Sequence, residues 1–233
     1  MFAASSFAPV VDDAGDGECL AEATVSLASS TVLSAQIADG APVDVFVSAG
    51  WDAVRALQSQ GVTTGEPRTI GLNSAAVMVN TRSAGSAAVS SVGDLKNRDV
   101  VLGACVASAP CGKLFDEVMA RVTGSPVGAP GAARGSLVDT EVLNAADLVA
   151  KISMGEIDAG IVYVSDCAEG NRPASVTCLE IPDVTSAGKP LNSRVPYVVV
   201  RLSSSEGSGV MFDYLTSPGF LSRLQSRFGL EAP

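Results

Sequence analysis

Two short hydroxyl runs hold the residues best suited to chemistry: Ala4-Ser5-Ser6-Phe7 and Ala28-Ser29-Ser30-Thr31-Val32-Leu33. Each follows a short apolar run of strand character and leads into a stretch with helical spacing, so each reads as a strand-to-helix junction. A helix start leaves its first N–H groups without partners inside the helix and carries a partial positive charge. Ser and Thr at such positions cap the helix, and the same donors can hold an anion with no counter-charge. A third candidate is Ser108-Ala109-Pro110-Cys111-Gly112, ahead of a helix expected over residues 113–122. A fourth is Gly160-Ile161-Val162-Tyr163, where Tyr163 ends a strand and its hydroxyl can donate. Each has a purely structural alternative: ordinary capping for the serines, a plain disulfide-closed loop for the third, a packed aromatic for Tyr163. Donors at the carboxyl ends of strands fit a ligand crevice between α/β lobes.

Other chemistries are excluded or unsupported. The chain has no His, which removes Ser-His-Asp and Cys-His nucleophilic catalysis and any Cys/His zinc site. No nucleophile elbow and no dinucleotide-binding glycine motif follows a strand, and Gly112-Lys113 is only a fragment of a phosphate-binding loop. Asp12, Asp13 and Asp16 form an acidic cluster. A divalent cation is conceivable there, but a solvated acidic loop is the expectation.

Five cysteines occur, none in a CxxC pair: Cys19, Cys105, Cys111, Cys167 and Cys178. Cys105 and Cys111 flank Pro110, and Cys167 and Cys178 flank a Gly170-Asn171-Arg172-Pro173 turn. Both spacings suit local disulfides and hence an oxidising compartment; buried free thiols are the alternative. Cys19 is left over.

The elements that must position these residues follow an α/β alternation. Strands are expected over residues 2–5, 23–27, 43–48, 75–79, 100–103, 159–164, 176–181 and 197–201, and helices over 30–39, 51–58, 113–122, 145–154, 210–215 and 218–227. Residues 83–91 and 203–209, rich in Ser, Ala and Gly, read as surface loops. The chain is expected to form two lobes, residues 1–80 with 196–233, and residues 81–195.

With 233 residues, 47% hydrophobic and 17% charged, the chain has a globular balance. Aromatics are only 5%, so the core rests on Val, Leu, Ile and Ala. The net charge of -10 argues against nucleic acid as a partner. An anion remains compatible with it only if the cage works by local dipoles. No apolar run reaches the roughly 18 residues of a membrane span. The chain opens inside the first expected strand, as a chain whose leader has been removed would.

The chain resembles the molybdate-binding proteins of ABC-type uptake systems, a branch of the periplasmic substrate-binding proteins. The resemblance rests on Phe2-Ala3-Ala4-Ser5-Ser6, on Ala28 through Leu33 with Gln36-Ile37, and on Gly40-Ala41-Pro42-Val43-Asp44-Val45-Phe46-Val47-Ser48-Ala49. It continues in Pro110-Cys111-Gly112, in Asp158 through Asp166, and in Phe212-Asp213-Tyr214-Leu215 through Phe228-Gly229. It implies an α/β fold of two periplasmic-binding-protein lobes, each a mixed, mostly parallel sheet flanked by helices, with the ligand cleft between them and closure by a hinge. It implies Ser6 and Ser30 as ligand residues from the first lobe. From the second it implies the backbone at Cys111 and Ala145 and the hydroxyl of Tyr163. Ala145 departs from the family pattern, which carries Val-Arg where this chain has Ala145-Ala146. Other departures are Ser5, Phe7, the broken region from Pro9 to Gly17, and Gly50 after Ser48-Ala49. Cys105 and Cys111 fit a disulfide-bearing subset of the family.

The function so implied is extracytoplasmic binding of molybdate, and of tungstate, for delivery to an ABC transporter permease. The protein is expected to be a monomer without cofactor and not an enzyme. A donor cage sized for molybdate leaves donors unpaired around the smaller sulfate, at about 1–3 kcal/mol each, or on the order of a hundredfold for two. The alternatives are a binder of another oxyanion such as sulfate, or an enzyme such as a transferase or deaminase on the same two-lobed fold.

Overall fold

The computed structural model describes residues 1–15, 17–125, 134–135, 137–169 and 172–233. The chain divides into two compact units, Met1–Asn73 with Val195–Pro233, and Ser74–Arg194.

In the first unit, β1 (Phe2–Ala4) lies between β2 (Ser26–Ala28) and β3 (Val45–Ala49), parallel to both. The returning strand β9 (Arg194–Arg201) pairs antiparallel with β3. The helices are α1 (Ala8–Asp12), α2 (Ser30–Ala38), α3 (Asp52–Ser59), α6 (Glu206–Leu215) and α7 (Pro218–Phe228). Phe46, Val198 and Val200 from the sheet pack with Leu33 and Ile37 of α2 and Val54 and Leu57 of α3. β3 is buried along its whole length, which explains its apolar run Val45-Phe46-Val47.

The second unit is built on β4 (Arg68–Asn80), whose first residues belong to the first unit. β4 pairs antiparallel with both β7 (Ala159–Tyr163) and β8 (Val176–Glu180). β5 (Leu102–Cys105) runs parallel to β7 and to β6 (Thr140–Val142). Helices α4 (Pro110–Thr123) and α5 (Ala145–Met154) follow β5 and β6. Gly103 and Gly160 are neighbours in the β5–β7 register. A Cβ on Gly103 would stand 3.0 Å from Leu148 and closer still to Ile157; one on Gly160 would stand 3.1 Å from Ile152. Both glycines therefore let α5 lie close on the sheet.

The expected strands and helices are present, with some shifted bounds and with elements that were not expected, α1 among them. β4 is longer than residues 75–79, and β6 was not expected. Residues 203–209 are not all loop, because α6 starts at Glu206. The cause is capping. Ser205 accepts from the Ser208 N–H and donates to the Asp44 carboxylate, while Ser208 donates to the Asp44 carbonyl. These bonds offset the poor helix propensity of Gly207 and Gly209. Part of residues 83–91 winds into a short 3-10 helix, Ala84–Ala88. Among the described residues no helix is long and apolar enough to cross a membrane.

Of the acidic cluster, Asp12 is exposed at the end of α1, whereas Asp13 is held by ion pairs. Asp13 pairs with Arg223 at 2.7 Å and with Arg227, and Glu18 takes a hydrogen bond from Tyr214 and pairs with Arg223. That Tyr214 bond holds the Glu18 carboxyl below its ordinary range, and burial pushes the Tyr214 phenol up to about 12. Asp16 lies outside the described residues, as do Gly170 and Asn171 of the turn between Cys167 and Cys178.

Candidate functional site

In the first unit Ser6 and Ser30 sit at the carboxyl ends of neighbouring strands. β1 and β2 are in register through Ala4 and Ala28, so the turn after β1 and the helix start after β2 lie side by side. Ser6 is the middle residue of a three-residue 3-10 turn, Ser5–Phe7, and is 2% exposed.

Ser29 and Ser30 divide two tasks. Ser29 is the N-cap of α2, its Oγ accepting from the Val32 N–H at 3.3 Å. Ser30, 1% exposed, accepts instead from the Ala49 N–H at 2.9 Å, from the end of β3. A serine hydroxyl has one proton to give. With a backbone donor already on its oxygen, Ser30 is set to give that proton to an acceptor.

In the second unit the three expected residues lie along the carboxyl edge of the parallel strands β6, β5 and β7. Cys111 is the second residue of α4, behind Pro110, and the N-cap Ala109 offers no side-chain cap. The first ladder bond of α4 runs from Lys113 N–H to Ala109 C=O, so the N–H groups of Cys111 and Gly112 precede the ladder. Ala145, 3% exposed, opens α5 behind the N-cap Asn144, whose side chain accepts from the Asp147 N–H at 3.0 Å. Tyr163 closes β7 and its hydroxyl oxygen is fully buried. Its backbone N–H donates to the Asp166 carboxylate at 3.0 Å. Burial pushes the Asp166 carboxyl up to about 7, against the pull of that hydrogen bond.

The loop before α4 is held from two directions. Cys105 and Cys111 form a disulfide, as do Cys167 and Cys178. Arg134, 8% exposed, donates to the carbonyls of Cys105 at 2.6 Å and Gly112 at 2.9 Å, and pairs with Asp116 and Glu141 at 2.7 Å each. Gly112 has no room for a side chain, since a Cβ would meet the Val106 carbonyl oxygen at 2.0 Å. The free thiol is Cys19, which approaches the Met211 sulfur at 3.9 Å. Among the described residues no cluster of three or more Cys, Asp or Glu is arranged to hold a metal ion.

Sequence reasoning missed Arg134 and the Ala49 N–H. Arg134 stands in a run of Gly and Ala with no charge pattern around it, and its carbonyl partners lie far away in sequence. The Ala49 N–H is backbone, and no residue type announces it.

Residues 1–220 match the family described as bacterial extracellular solute-binding protein. The molybdate-binding protein ModA of Mycobacterium bovis is 28% identical over 191 residues, covering 78% of this chain. The match spans 66% of that relative, just under two thirds of its length. Among solved structures, the periplasmic molybdate-binding protein of Azotobacter vinelandii superposes with a TM-score of 0.76 at 18% identity, over 100% of this chain and 98% of that one. The sulfate-binding protein SubI of Mycobacterium tuberculosis gives 0.71 at 15% identity, over 99% and 85%. These likenesses establish the two-lobed fold of periplasmic binding proteins. With its fold and the family match over nearly its whole length, the chain belongs to the bacterial extracellular solute-binding proteins.

Proposed function

We propose that the protein captures a tetrahedral oxyanion, molybdate and also tungstate, outside the cytoplasm and delivers it to an ABC transporter permease. The observation that carries this reading is the Ser30 hydroxyl, buried at a helix start with its oxygen engaged by the Ala49 N–H and its proton left to donate. Ser6 and Ser30 supply donors from the first unit; Cys111, Ala145 and Tyr163 supply them from the second. The two units act as the lobes, and the protein works as a monomer without cofactor or catalysis. The Mycobacterium relative, named as molybdate-binding, supports the choice of anion. Hydroxyl and N–H donors favour a fully deprotonated dianion, and phosphate, which keeps a proton near neutral pH, finds no acceptor in such a cage.

A second reading, sulfate as ligand, draws support from the likeness to the sulfate-binding protein. Thermal unfolding with molybdate, tungstate, sulfate or phosphate separates the two. A ligand at 100 times its Kd stabilises by about 2.7 kcal/mol, and molybdate and tungstate are expected to do so. A shift with sulfate alone selects the second reading, and no shift with either metal oxyanion overturns the first.

A further inference from the structure

Tyr197 is fully buried in the first unit, where a phenol must find partners. Its hydroxyl accepts from the Asn73 side-chain nitrogen at 3.1 Å and donates to the backbone carbonyl of Ser6 at 2.8 Å. The direction of this chain is fixed by proton counting. A carbonyl only accepts, so the single phenol proton belongs to Ser6, and only the NH2 side of Asn73 can face the phenol. Asn73 is fully buried as well. The Tyr197 ring also meets the Phe7 ring edge-on, with centroids 5.3 Å apart.

The turn that carries Ser6 is short and leads directly into α1. It is three residues long, without a side-chain cap. A 3-10 turn has poorer hydrogen-bond geometry than a longer α-helix. The peptide plane is rigid, so fixing the Ser6 carbonyl fixes the plane that starts at the Ser6 Cα. That in turn restricts where the Ser6 side chain can point.

We propose that Tyr197, oriented by Asn73, is the positioning residue for Ser6 in ligand binding. This rests on the reading of Ser6 as a ligand donor. The two residues stand on β4 and β9, the strands by which the chain leaves and re-enters the first unit. The donor turn is thereby tied to both crossing strands by one hydrogen-bonded chain, and such chains act cooperatively.

The test is a double-mutant cycle read by calorimetry with sodium molybdate: wild type, Tyr197→Phe, Ser6→Ala and the double variant. Tyr197→Phe removes one oxygen and keeps the ring. It is expected to weaken binding by roughly five- to tenfold and to narrow the ratio of molybdate to sulfate affinity. In the Ser6→Ala background it is expected to cost no further affinity, because it acts through that serine. Additive losses, or an unchanged Kd for Tyr197→Phe, overturn the proposal. Should Tyr197→Phe lose its cooperative melt, Asn73→Ser enters the same cycle with the same expected non-additivity. Wild-type protein that ignores molybdate overturns the oxyanion reading itself, whereas binding with additive variants overturns only the role of Tyr197.

Discussion

Ser29 and Ser30 are identical neighbours with separable roles, and a pair of substitutions tells them apart. Ser29 caps α2 through the Val32 N–H, and Ser30 takes the Ala49 N–H. Ser29→Ala is expected to lower stability by about 1 kcal/mol and leave molybdate affinity within a few-fold. Ser30→Ala is expected to leave the fold intact and weaken binding roughly tenfold or more, as the loss of a buried hydrogen bond requires. Denaturant unfolding and calorimetry on the two variants check this, and equal Kd values would remove Ser30 from the site. The strand-to-helix junction at the hydroxyl run was legible, because Ser is a favoured capping residue there. Which serine caps α2 and which takes the Ala49 N–H was not, because the deciding partner lies 19 residues away on another strand. Ala145 shows the opposite limit: its side chain says nothing, and only the resemblance and its place at the start of α5 single it out.

Among elements, α4 has a helix start fixed from two sides. Its first turn is closed by the Cys105–Cys111 disulfide and clamped by Arg134. A bridge closing so short a loop contributes about 2–3 kcal/mol by the chain-entropy argument. Replacing both Cys105 and Cys111 by Ser is therefore expected to lower the melting temperature by roughly 2–4 °C per kcal/mol lost, the scale for a chain of this size. The backbone at position 111 and the Arg134 bonds to the loop survive, so the variant is expected to keep binding molybdate. Calorimetric scanning with titration of the same sample checks both halves, and abolished binding would mean that the bridge, not Arg134, sets the loop. Most elements were legible from apolar periodicity. The first half of β4 was not, because Gly71, Asn73 and Ser74 interrupt the pattern; neither was β6, since Thr140–Val142 is too short to show any period. α6 reads short in the sequence because Gly207 and Gly209 mask a helix that Ser205 and Asp44 hold in place.

At the scale of the whole molecule, the alternation of strands and helices made the α/β class legible, and the absence of His removed the Ser-His-Asp and Cys-His forms of nucleophilic catalysis. The pairings that build the two units were not legible, since they join strands as distant as β1 and β3, or β3 and β9. The proposed donors are helix starts and hydroxyls, and fields of this kind fade within a turn of the helix. They hold an anion on contact but do not call it from a distance. What a distant dianion meets is the net charge of -10, which repels it. Capture should therefore run against the usual salt dependence of electrostatic steering. Raising ionic strength from about 0.01 M to about 0.15 M shortens the screening length from about 30 Å to about 8 Å. The association rate for molybdate, followed by stopped-flow fluorescence, is expected to rise several-fold while the dissociation rate stays nearly constant. A rate that falls with salt would reveal a cationic funnel. A rate that rises would mark a protein that binds quickly only where its own charge is hidden, in a medium as salty as the world outside a cell.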